Sequence, residues 1–127
     1  MCLIIDLKKH ILHRSKISLF PIKVYKILHT NLSGELITPY MGYRINFINK
    51  KCVLSAKFNI VNSSDIIIIN EGIHAYYKFH IAKSDVGNLY KCEVYKAIIP
   101  PFTKYFYGVR GEIVAEKMII KNVSYNR

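Results

Sequence analysis

The chain reads as an α+β domain of mostly antiparallel twisted sheet, with one internal helix and a basic amphipathic helix at the N-terminus. Three observations predict this class. A hydrophobic period of two runs through most of residues 22–121. The same runs are rich in β-branched and aromatic residues, which suit a pleated, half-buried surface. Two stretches, 3–19 and 76–86, instead carry apolar residues at helical spacing. At 127 residues a single domain is expected, since chains near this size bury roughly two-thirds of their unfolded surface around one core. Residues 1–20 read as a basic helix or arm, and residues 21–127 as the β-rich body.

Taken in order, Leu3, Ile4, Leu7, Ile11 and Leu12 mark one helical stripe, with Lys8, Lys9, His10, His13, Arg14 and Lys16 largely off it. Phe20-Pro21 ends that pattern, because proline disfavours helix in the residue before it. Ile22 to Leu28 is a strand by propensity, and Asn31 to Gly34 is turn chemistry. Tyr43, Ile45 and Phe47, then Leu54, Ala56, Phe58 and Ile60, alternate with polar residues on either side of Asn49-Lys50-Lys51. That pattern predicts a hairpin with one face buried and the other basic and wet. Ile66 to Ile69 is short and wholly apolar, as for a strand buried on both faces. Tyr76 to Val86 suits two or three helical turns closed by Gly87-Asn88. Leu89 to Ile99 reads as a strand stopped by Pro100-Pro101, since proline cannot donate to a ladder. Tyr105 to Gly108 reads as a turn, and Glu112 to Lys121 as the closing strand.

Nineteen Lys and Arg against eight Asp and Glu leave a net charge of +11. An excess of that size on a small domain points to a polyanionic or acidic partner: nucleic acid, an acidic protein face or a membrane surface. The bland alternative is a solvated lysine-rich surface in a composition heavy in Ile, Lys, Asn and Tyr. Cys2, Cys52 and Cys92 are odd in number and scattered, so neither a disulfide framework nor a zinc site is expected. No apolar leader precedes a small-residue cleavage site, and no stretch approaches the roughly 18 apolar residues of a membrane helix. The expectation is a soluble, intracellular protein with reduced thiols.

Catalytic signals are sparse. No nucleophile elbow, phosphate loop or paired-carboxylate spacing is present. His10, His13, His29, His74 and His80 lack a third ligand or a spaced carboxylate, so no metal is expected. Glu71, Glu93 and Glu112 are the acids worth testing, and Glu93, between Lys91 and Tyr95, reads as solvent-facing. Gly72-Ile73-His74-Ala75-Tyr76 and Gly111-Glu112-Ile113-Val114-Ala115 would bring a histidine and a glutamate onto one sheet. Tyr76, Tyr77, Tyr90, Tyr95, Tyr105 and Tyr107 interleave with Lys78, Lys91, Lys96 and Lys104. Rings beside lysines stack bases while the cations neutralise phosphates. The candidate binding residues are Lys8, Lys9, Arg14, Lys16, Lys50, Lys51, Lys78, Lys91, Lys96, Lys104, Tyr76 and Tyr90.

Thr38-Pro39-Tyr40-Met41-Gly42-Tyr43, Glu71 to Tyr76, Ile98 to Gly108 and Gly111 to Val114 together resemble small uncharacterised proteins of bacteriophages and large DNA viruses. The resemblance covers roughly residues 22–121 and departs at Pro101-Phe102, where that family has lysine-glycine. It implies a viral accessory protein in the host cytoplasm or the virion, and names no activity. A second, weaker likeness is to the ADP-ribosyltransferase sandwich. It implies His29 as the histidine holding the ribose of NAD and Glu112 as the catalytic carboxylate, and places His74 where that fold has its nicotinamide-stacking aromatic.

The functional expectation is therefore a basic viral accessory protein without a cofactor, acting by binding nucleic acid or an acidic host or viral protein. The alternatives are an NAD-using ADP-ribosyltransferase-like enzyme and a structural virion or interaction subunit.

Overall fold

The computed structural model describes residues 3–6, 16–39, 42–62, 66–69, 71–87, 91–108 and 110–125. In chain order these form β1 (Leu3–Asp6), β2 (Lys16–Ile17), β3 (Ile22–Thr30), β4 (Leu36–Ile37), β5 (Lys51–Ser55), β6 (Ile60–Asn62), β7 (Ile66–Ile69), β8 (Ile73–Tyr76), α1 (Phe79–Val86), β9 (Cys92–Ile99), β10 (Lys104–Tyr107), β11 (Glu112–Ala115) and β12 (Lys117–Tyr125). One antiparallel sheet runs β2-β10-β11-β8-β3-β9-β12-β5, with β4 added beside β3, and a second, smaller sheet runs β1-β7-β6. A mostly antiparallel α+β domain with one internal helix is what the periodicity predicted.

A topological constraint shapes the large sheet. Only Glu116 separates β11 from β12, yet β8, β3 and β9 lie between them in the hydrogen-bonded order. Four inter-strand steps in a flat sheet would span about 19 Å, whereas two residues of chain reach only about 7 Å. The sheet must therefore coil until its two sides meet at Glu116. The backbone there records the seam: the Glu116 N–H donates to the Lys104 carbonyl at 3.1 Å, and its carbonyl accepts from Ala56 N–H at 3.0 Å. The Glu116 carboxylate accepts from Phe58 N–H at 2.9 Å.

Coiling encloses one face. Val24 and Leu28 of β3, Ile73 and Ala75 of β8, Ala97 and Ile99 of β9, Ile113 and Ala115 of β11, and Met118 and Ile120 of β12 form one buried cluster with Cys52 and Tyr105 from opposite sides of the sheet. On the outer face α1 covers Ile27, Tyr76 and Val94 through Ala82, with Phe79, Ile81 and Val86 around it. Elsewhere on that face Ile69 of the small sheet packs with Phe58 against Phe106 and Val114. Gly72 stands at this second contact with φ of 126°; a Cβ there would lie 2.7 Å from Val114 Cγ2, so only glycine fits both the backbone and the space.

The helix expected over 3–19 is not found where the chain is described. Leu3–Asp6 pairs residue by residue with Ile69–Ile66, and Lys16–Ile17 pairs with β10; residues 7–15 lie outside the described residues. The partner strand decides this: Ile66–Ile69 presents ladder groups that a helix could not satisfy. Nor is residue 16 onward a loose arm, because Ser18 is clipped to the β9–β10 turn. Its Oγ donates to the Pro100 carbonyl at 2.7 Å and accepts from Thr103 N–H at 3.0 Å.

Tyr105 to Gly108, read as a turn, is mainly strand β10. Glu112 to Lys121 is two strands broken at Glu116, for the topological reason above. Residues 43–47 make only the isolated bridge Ile37↔Arg44, and β5 takes its ladder from β12. The tight turn between them does form, with Asn49 and Lys50 at φ of 53° and 65° and Ile48 bridged to Lys51. Ile69 is buried but Ile66 is exposed, so β7 is not buried on both faces along its length.

Replacing Glu116 by Ala leaves the Phe58 amide at the seam without its carboxylate acceptor. The expected loss is about 1–3 kcal/mol of unfolding free energy in urea titration, with Glu116→Gln recovering part of it.

Candidate functional site

Strand parity assigns every side chain of the coiled sheet to one face, and the inward set is fixed by the buried cluster. The outward residues follow: Lys23 and Tyr25 on β3, Lys96 and Ile98 on β9, Lys117, Ile119 and Lys121 on β12, and Lys51, Val53 and Ser55 on β5. These four strands are consecutive neighbours. Their outward positions beyond α1 hold five lysines and no carboxylate. The registers order them. Lys23 lies opposite Ile98, Ile98 opposite Ile119, and Ile119 opposite Val53, a row with lysine at one end and aliphatic side chains across it. Lys121 lies directly opposite Lys51, and Lys117 opposite Ser55. At ordinary strand spacing the face measures about 13 by 14 Å.

Aromatic rings border it. Tyr25 is opposite Lys96 and Tyr125 opposite Val94, past a register shift in β12 between Ile120 and Ser124. Phe79 of α1 completes a trio with ring centroids 4.8–5.8 Å apart. Lys96 Nζ lies 5.5 Å from the Tyr125 ring centre and Lys83 Nζ 5.9 Å from that of Phe79. Beyond β5 the face continues into an open groove of about 670 Å³ lined by Arg44, Asn46, Asn49, Lys51 and Val53 among others.

Of the binding residues expected from sequence, Lys51 and Lys96 lie on this face, and Lys50 is in the turn that leads into it. Lys16 and Lys78 sit elsewhere, over a different aromatic group: Lys16 is 5.5 Å from the Tyr107 ring and Lys78 5.8 Å from the Tyr77 ring. Tyr77, Tyr105 and Tyr107 there pack edge to face. Burial, with the neighbouring Tyr105 and Tyr77, pushes the Tyr107 hydroxyl pKa up. Lys91 and Lys104 are exposed and lie off the four-strand face. Tyr76 is a correction: it is buried, with its hydroxyl donating to Asp85 Oδ2, so its ring belongs to the core under α1. Lys8, Lys9, Arg14 and Tyr90 lie outside the described residues. Lys23, Lys117, Lys121, Tyr25 and Tyr125 were missed; strand parity read with the register would have found them, but register is not visible in one sequence.

The NAD-type triad separates. Glu112 pairs with Tyr76 and Tyr76 with Tyr25, a line across three strands. His29 is four residues farther along β3, about 13 Å from that line, and its Nδ1 lies 3.5 Å from Cys92 Sγ. Burial raises the Cys92 pKa, which opposes thiolate formation. His74 does share an outward face with Glu112 on the neighbouring strand, since it pairs with Val114 two residues on. Its Nε2 is buried with no partner among the described residues, and burial, with the Lys26 ammonium, holds its pKa at about 4. Glu93 is half-buried rather than solvent-facing, sharing the inward parity of Tyr95 and Ala97.

Lys26 points inward between Val24 and Leu28 and is buried. Its Nζ donates to the His74 carbonyl, and burial brings its pKa down to about 8. Among the described residues no group of His, Cys, Asp and Glu could hold a metal ion, and no helix is long and apolar enough to cross a membrane. No family model, curated protein or solved structure matches the chain.

Both depressed bases bind protons more weakly folded than unfolded, so each destabilises the fold fully below its folded pKa and progressively less up to its unfolded value. Stability should rise with pH from about 4 to 6.5 through His74 and again from about 8 to 10.5 through Lys26. Lys26→Met should remove the upper rise and stabilise the protein at pH 7 by about 2 kcal/mol. His74→Leu should remove the lower one. Chemical denaturation at a series of pH values reads both.

Proposed function

We propose that this protein binds nucleic acid electrostatically through the outward face of β3, β9, β12 and β5, and acts by that binding without chemistry of its own. The observation that carries the reading is Lys121 placed directly opposite Lys51, on a face whose outward positions hold five lysines and no carboxylate. Like charges directly opposite one another on adjacent strands destabilise a sheet. A glutamate at either position would relieve the repulsion at no cost in packing. An anionic backbone laid across the face would relieve it instead. A viral accessory role, in host cytoplasm or virion, is supported by the sequence resemblance alone. An NAD-using reaction finds less support, because His29 stands well away from Glu112 along the sheet.

Affinity for a mixed-sequence oligonucleotide should fall with salt at a log–log slope of about −3 to −4 if five phosphates are neutralised. A flat salt response, or no binding at low salt, would remove nucleic acid as the partner. Lys51→Glu should act in opposite directions on the two measurable quantities. It should stabilise the free protein by about 0.5 kcal/mol through the new pair with Lys121, and weaken oligonucleotide binding roughly fivefold to tenfold at 0.1 M salt.

A further inference from the structure

We infer that the nucleic acid taken by the basic face is single-stranded, with bases stacking on the ring trio Tyr25, Phe79 and Tyr125. This rests on the nucleic-acid reading above and narrows it.

Tyr25 and Tyr125 project from the same outward face as the lysines, on β3 and β12, and Phe79 leans over both from the first turn of α1. The three centroids lie 5.6, 5.8 and 4.8 Å apart with tilted or edge-on geometry. Tyr76, by contrast, is sealed in the core under α1. The rings of the trio are not sealed: Tyr125 is 36% exposed, and Tyr25 and Phe79 are half-buried. Each flank carries a cation, Lys96 by Tyr125 and Lys83 by Phe79. The register shift in β12 falls between Ile120 and Ser124, opposite Lys96. Such bulges re-aim side chains, and here the shift brings Tyr125 beside Lys96.

The ring trio at one margin of the face is therefore flanked by two cations. A duplex offers a phosphate surface but hides the faces of its bases. A single strand offers phosphates to the lysines and unstacked bases to the rings. The pairing of a cationic surface with exposed aromatic platforms is the pattern of sequence-tolerant single-strand binding.

The test compares four fluorescently labelled probes by anisotropy at low salt: a mixed-sequence single strand, its RNA counterpart, the same sequence as a blunt duplex, and an abasic strand of equal length. The expected result is that the two intact strands bind at least fivefold tighter than the duplex and the abasic strand. Tyr125→Ser should erase most of that preference while leaving the salt slope unchanged, because stacking releases no counterions; Tyr125→Phe should restore it. If duplex and abasic strand bind as tightly as the intact strands, the inference falls while the electrostatic reading stands. It also falls if the preference survives both Tyr125→Ser and Tyr25→Leu. If no probe binds at low salt, both readings fall.

Discussion

The single-residue link at Glu116 is the constraint on which the rest of the fold depends. Joining two strands that lie four places apart in the ladder order forces the sheet to coil. Coiling then gives the sheet a closed side, where Ile99, Ile113, Ala115, Met118 and Ile120 lose all contact with solvent. Small residues make this possible at the crowded inner surface: Ala75, Ala97 and Ala115 stand on three different strands of the interior. Once one side is closed, period-two geometry leaves no choice about the other. Each residue between two inward positions of β3, β9, β12 or β5 faces out. The charged face is thus a consequence of the seam, since an uncoiled sheet could present the same lysines to either side.

The two covers of the outer face bound its open area. Helix α1 occupies the region over Ile27, Tyr76 and Val94, and the small sheet covers Val114 and Phe106 through Ile69. Neither belongs to a cluster that includes Ile98, Ile119 or Val53, and Val53 is 55% exposed. A lysine-rich strand face left open by the described residues is a protection against edge-to-edge pairing as well as the proposed binding surface, because charge disfavours docking of a second strand at the β5 edge. The two roles are compatible. Repulsion between lysines is screened at physiological salt over about 8 Å, and the five residue pairs that join β12 to β5 hold the register against it.

Much of the β3-to-β9 core was legible because local signals and tertiary context agree there. Alternation marked Ile22 to Leu28, Asn31 announced the turn in which its Oδ1 accepts from Ser33 and Glu35 N–H, and Gly87 closes α1 by donating to the Lys83 carbonyl. The failures share one cause, which is that a partner distant in sequence decided the structure. Leu3 to Asp6 has helical spacing but finds Ile66 to Ile69 beside it. Tyr105 to Tyr107 resembles a turn until β11 is laid alongside. The proposed binding face was only partly legible for the same reason. Lys51 and Lys96 could be named from charge and neighbouring tyrosines, but Lys121 acquires meaning only when the register puts it opposite Lys51.

Lys23 and Lys26 show why composition alone misjudges such a surface. They lie three residues apart on one strand and therefore on opposite faces. Lys23 is exposed and adds its charge to the outward field. Lys26 is buried, bonded to the His74 carbonyl, and has its pKa lowered toward neutrality by that burial. The net charge of +11 counts both alike. What a polyanion meets is set by strand parity and by which strands are neighbours, and parity turns five lysines outward where β3, β9, β12 and β5 run side by side. A lysine moved by one position along any of these strands would leave the composition unchanged and pass from outward-facing charge to a buried penalty of the Lys26 kind. The proposed binding property of this chain therefore rests on its register.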